Sequence, residues 1–223
     1  MRVEIPHLRL VSLAFVLCIL ISGAPVLGGQ QASDVEPAQP GEAVPAHPAL
    51  VFFSQHRLPG SAWTALFAAV RTSLPEAAAE VPSLDAHVEL IRGDTLAHGT
   101  VVPQSVTVYL HGDCNPAPIA EPSLTGERLG WVMKVGPRIE PVIHVECTPI
   151  GQELSGSMEG MSRDERTAAM SEALARVILH EWAHIATQSS AHGKEGITKA
   201  QFGVNDLILR NDRAQICPQS GLR

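Results

Sequence analysis

The sequence predicts an α+β domain, a mixed β-sheet packed on its helices. Three observations carry that reading. Short runs of alternating or β-branched residues, parted by Pro- and Gly-rich joins, read as strands. Two longer segments carry apolar residues at helical spacing. Of 223 residues, 45% are hydrophobic, enough for one sizeable core.

The elements follow in order: strand, helix, four strands, long helix. Ala49 to Phe53 (ALVFF) is a short apolar run and the first predicted strand. Ser61 to Leu74 places Trp63, Leu66, Phe67 and Val70 at helical spacing, between Gly60 and Pro75. It is the first predicted helix. His87 to Ile91, Ser105 to Leu110, Leu129 to Val135 and Pro141 to Glu146 read as strands. Ser162-Arg163-Asp164-Glu165 has the form of a capping box, opening a helix that runs to about Gln188. Met170, Leu174, Val177 and Ile178 form its buried stripe.

The flanks are of other kinds. Leu8 to Ile21 is an apolar run behind Arg2, too short for a comfortable membrane span, and small residues follow it. Residues 1–29 are therefore expected to be a secretory signal peptide. Residues 30–48, rich in Pro, Ala and Gln, are expected to be a flexible linker. The catalytic-type domain is then 49–210 and the C-terminal tail 211–223. Without Arg2, Arg9 and Glu4 the remainder has 14 basic and 22 acidic residues, net −8. Nucleic acid is excluded, since it needs a basic stripe. No basic amphipathic helix suggests membrane binding, so no stable insertion is expected once the signal is cut. The expected location is secreted or periplasmic. Cys114, Cys147 and Cys217 remain, an odd number in a compartment that permits disulfides.

The chemistry concentrates in Val177 to Ile197, VILHEWAHIATQSSAHGKEGI. His180 and His184 are four apart on a helix, so both project from one face. Glu181 follows the first histidine and can approach a water at the metal without being a ligand. HEWAH is thus the H-E-x-x-H zinc pattern, with Glu181 as general base. A catalytic zinc commonly takes three protein ligands. His192 is the leading third, beyond a predicted turn at Ser189-Ser190-Ala191; Glu195, Asp206 and His144 are its rivals. No motif for serine or cysteine nucleophiles and no Gly-rich phosphate loop accompanies it.

The pattern H180-E-W-A-H184-x7-H192-x3-G196-I197 resembles the metzincin-type zinc metallopeptidases, and among them a group of exported bacterial proteins with HExxH-x3-G-x3-H-S-x-x-G-I-M. The predicted element order is also similar to the metzincin catalytic domain. The resemblance implies a zincin-like fold with the active-site helix at about 163–188. It implies Zn2+ held by His180, His184 and His192, with Glu181 as base. The implied activity is an exported endopeptidase that hydrolyses peptide bonds with a zinc-activated water. Its partner is a peptide or protein substrate. Such enzymes bind extended substrate along an edge strand, for which Leu129, Gly130, Trp131, Val132 and Met133 are the candidates. The chain departs from the pattern at Gln188, where glycine is expected, and at Thr198, where a methionine beneath the metal is expected. Its gap to the third histidine is two residues longer than the standard one. These departures keep a second expectation open, an exported zinc-binding module without catalysis or a decayed peptidase. If the strands ending at Leu110 and Glu146 are close, Cys114 and Cys147 meet at one end of the sheet; that disulfide is expected, with Cys217 free.

Overall fold

A computed structural model describes residues 48–115 and 128–208 of the chain. The predicted signal peptide, nearly all of the linker, Cys217 and the tail lie outside the described residues. Among those described, five strands form one sheet: β1 (Ala49–Ser54), β2 (Glu89–Arg92), β3 (Ser105–His111), β4 (Gly130–Val135) and β5 (Arg138–Glu146). Their spatial order is β2-β1-β3-β5-β4. The first four in that order are parallel, and β4 runs antiparallel to β5 at the edge. The mixed α+β architecture is thus the one the sequence predicts. β4 and β5 are joined through Gly136 and Pro137, with Gly136 at φ 59, a conformation suited to a tight hairpin turn.

Helices α1 (Gly60–Glu80) and α3 (Arg163–Thr187) pack together on one face of the sheet. The core between them holds Leu50 and Phe52 of β1, Val108 and Leu110 of β3, and Ile143 and Val145 of β5. From the helices come Trp63, Leu66 and Val70, with Met170, Leu174, Val177 and Ile178. Truncating one such leucine typically costs about 2–5 kcal/mol. The capping box forms as the sequence predicts. Ser162 Oγ accepts the Glu165 N–H at 3.3 Å, and a Glu165 carboxylate oxygen accepts the Ser162 N–H at 2.7 Å.

The other face of the sheet carries a ladder of rings. Phe53, Tyr109, His144 and Trp131 lie opposite one another in register across β1, β3, β5 and β4. Their centroids are 5.6, 5.5 and 4.7 Å apart, near the spacing between strands. The row ends at Gly93, where a Cβ would collide with the Phe53 ring.

Strand ends shift by a few residues, β2 to Glu89–Arg92 and the start of β5 to Arg138, and two helices differ more from expectation. The first helix does not stop before Pro75 but runs through it to Glu80. Proline removes one helical hydrogen bond, but EAAAE after it is a strong helix former, and Leu74 and Ala77 are buried on the core side. A short helix α2 (Cys147–Leu154) was not expected after β5. Thr148-Pro149 and Gly151 mask it, although proline is tolerated in a first turn. Its apolar residues at 147, 150 and 154 have helical spacing and are buried. Cys114 and Cys147 are joined in a disulfide that ties the segment after β3 to the start of α2. Closing that 33-residue separation is worth roughly 3–4 kcal/mol by chain entropy.

Candidate metal centre

The C-terminal half of α3 carries His180, Glu181 and His184 on its buried side, each less than a tenth exposed. Helical spacing puts the two histidines one turn apart, and their Nε2 atoms are 3.1 Å apart. The chain turns after Thr187 and returns His192 to them. His192 stacks on His180 at 5.3 Å and meets His184 edge-on at 4.8 Å. One ligand atom from each of the three lies within 4.8 Å of the other two. His192 is the exposed member.

A count of protons decides whether these residues fit a cation. His180 Nδ1 sits 2.7 Å from the Ile197 carbonyl, and His184 Nδ1 sits 2.7 Å from the Ser189 carbonyl. Each contact needs a proton on nitrogen, because a carbonyl only accepts. The Nε2–Nε2 contact needs a third. Two neutral imidazoles carry two ring protons, so two bare Nε2 lone pairs face each other. Protonating a ring would relieve this, but burial pushes His180 down to about 4 and lowers His184 as well. A cation between the Nε2 atoms satisfies all three contacts. Tetrahedral nitrogens about 2.0–2.1 Å from zinc are about 3.3 Å apart, close to the spacing here. Histidine metal ligands commonly donate their second ring N–H to a carbonyl, the arrangement present at both residues.

None of the rivals for third ligand is in the cluster, and two of them are engaged elsewhere. Asp206 accepts from Lys199 Nζ at 2.7 Å and from the Gly203 N–H at 2.9 Å. His144 is in the ring ladder and hydrogen-bonded to His111 at 2.9 Å. Glu195 is outside the three-residue cluster.

The histidines and Glu181 line a cleft of about 820 Å³. The edge strand and the residue before it contribute: Leu129, Gly130, Trp131 and Val132 line the cleft, whereas Met133 does not. At Gly130 β4 lies close against α3. A Cβ there would come 2.7 Å from Val177 Cγ1 and 3.1 Å from Glu181 Oε1. Burial pushes the Glu181 carboxyl up to about 7, partly offset by the nearby Arg128 charge. Phe202 also lines the cleft and packs edge-on against His180 at 5.1 Å. Sequence reasoning missed this residue, since a lone phenylalanine beyond α3 carries no motif. Thr198 is placed in the loop after His192, where its Oγ1 donates to the Glu195 carbonyl at 3.4 Å.

No protein-family model, curated protein or solved structure matches this chain. The three-histidine cluster, able to hold a metal ion, therefore stands on the chain's own geometry.

Proposed function

We propose that this chain is a zinc-dependent peptidase acting outside the cytoplasm, with His180, His184 and His192 as ligands and Glu181 as general base. The observation that supports it best is the pair of Nε2 lone pairs, facing at 3.1 Å with both Nδ1 positions committed to carbonyls. Three imidazoles beside a carboxylate favour zinc over harder cations, which prefer oxygen. When bound, zinc supplies Lewis acidity and makes a nearby water easier to deprotonate.

The chain's own residues do the rest. Glu181 is buried at the cleft floor, where a carboxyl held near neutrality can take a proton and later return it to the leaving amine. The edge of β4, which pairs with no further strand among the described residues, can pair with an extended peptide as an added strand. Leu129, Gly130, Trp131 and Val132 would flank it. The absence of a side chain at Gly130 lets β4 itself pack close to Val177 and Glu181 of α3. The Cys114–Cys147 disulfide suits an oxidising compartment.

The test compares the wild-type chain with Glu181→Gln on a mixed peptide library, counting bound zinc in both. Both are expected to hold one zinc, and the variant to lose hydrolysis by roughly 10²–10⁴-fold. Cleavage that survives in Glu181→Gln would remove the mechanism. Full zinc with no cleavage by either would favour a zinc-binding module without catalysis.

A further inference from the structure

Glu80 is the last residue of α1. A carboxylate at a helix C-terminus opposes the helix dipole, and α1 has no basic residue in its last turn to offset it. Residues that break a local rule commonly answer to a contact elsewhere in the fold. Here the contact is with the loop after His192. A Glu80 carboxylate oxygen accepts the Ile197 N–H at 2.6 Å, across 117 residues of sequence. The carbonyl of the same Ile197 accepts from His180 Nδ1 at 2.7 Å. Ile197 is buried, 4% exposed, so its peptide groups need partners within the protein.

The loop is shaped around this carboxylate. Gly196 has φ 66, and a Cβ there would fall on the Glu80 carboxylate. The Gly193 N–H donates to the Thr198 carbonyl at 2.8 Å, closing the segment on itself directly after His192. One side chain from α1 thus clamps the segment that orients His180 and adjoins His192. His184 is held separately, by the Ser189 carbonyl.

We propose that Glu80 is a positioning residue of the metal centre. It holds the Ile197 carbonyl so that His180 keeps its proton on Nδ1 and leaves Nε2 bare toward the metal. The role rests on the metal-binding reading above, and it needs a hydrogen-bond acceptor at this reach rather than a negative charge. Glu80→Gln keeps an acceptor oxygen at the same reach without the charge. Glu80→Asp keeps the charge but draws the acceptor back by one methylene. Glu80→Ala removes both.

Co2+ affinity, measured by competition with a chromophoric chelator, and long-range 1H–15N spectra of the histidine rings in the metal-free protein provide two readouts. Glu80→Gln is expected to bind Co2+ within about threefold of wild type. Glu80→Asp and Glu80→Ala are expected to bind roughly 10–100-fold more weakly, the usual loss when a ligand's supporting partner is removed. Both should also lose the Nδ1–H signature of His180. If Glu80→Ala does not fold, the Asp and Gln pair decides. Wild-type affinity and an unchanged His180 tautomer in Glu80→Asp would overturn the proposal, as would a Gln variant as weak as the Asp one. If wild type binds no Co2+, the metal reading falls by itself. The tautomer comparison then still decides whether Glu80 sets the His180 proton.

Discussion

Gln188 ends α3 at φ 50, ψ 33, a left-handed conformation that ordinarily favours glycine. The motif this chain resembles has glycine at that position, and the structure shows what the glutamine does instead. Its side-chain Nε2 donates to the Ile139 carbonyl at 3.0 Å and the Ile185 carbonyl at 2.8 Å. Its Oε1 accepts the Ile139 N–H at 3.0 Å. The side chain stitches the end of α3, the helix that carries His180 and His184, to β5, offsetting a backbone strain of about 1–2 kcal/mol. Gln188→Ala keeps the strain and loses all three bonds, so urea unfolding is expected to show a loss of roughly 1–3 kcal/mol. Gln188→Gly relieves the strain and should lose less. If glycine proves worse than alanine, the strain account is wrong.

At the scale of elements, the site is assembled by short segments as much as by the long helix. The turn of helix α4 (Val204–Leu207) is tied back to the loop after His192 through Asp206 and Lys199. Hydrogen bonding from Lys199, then from the Gly203 N–H, lowers the Asp206 pKa below its ordinary value. A depressed carboxylate pKa contributes stability that is complete above the unfolded value, near 3.9. That contribution is lost as pH falls through the lower folded value. Melting temperatures between pH 5 and pH 3 should therefore fall more steeply for wild type than for Asp206→Asn. Parallel curves would mean that this pair does not anchor the loop.

For the whole molecule, the metal would join three parts that are otherwise held by packing and hydrogen bonds: the end of α3, the turn after it, and the segment clamped to α1. A ligand that binds only the folded state stabilises it by about 4 kcal/mol at a thousandfold excess over its dissociation constant. For a chain of this size, removing zinc with a chelator should lower the melting temperature by about 10 °C. Zinc added back should restore it. A melting temperature indifferent to chelation of a zinc-loaded sample would argue against a bound metal in the folded state.

Much of this arrangement was legible in the residues alone. Apolar runs, period-2 alternation and period-3.6 patterns located five strands and two helices, because burial leaves that trace in sequence. The H-E-x-x-H spacing was legible because a helix converts four residues into one turn, so local geometry alone places His180 above His184. Their common face and the Ser162 cap needed nothing beyond the chain's own periodicity. Only the tertiary structure could show that His192, and not Glu195, Asp206 or His144, joins His180 and His184 in one cluster, because that depends on where a loop returns. The same holds for Phe202 against His180, Gly130 against Glu181, and Glu80 against the Ile197 N–H. Each is a contact between segments far apart in sequence, and no local propensity encodes which distant surface a side chain will meet.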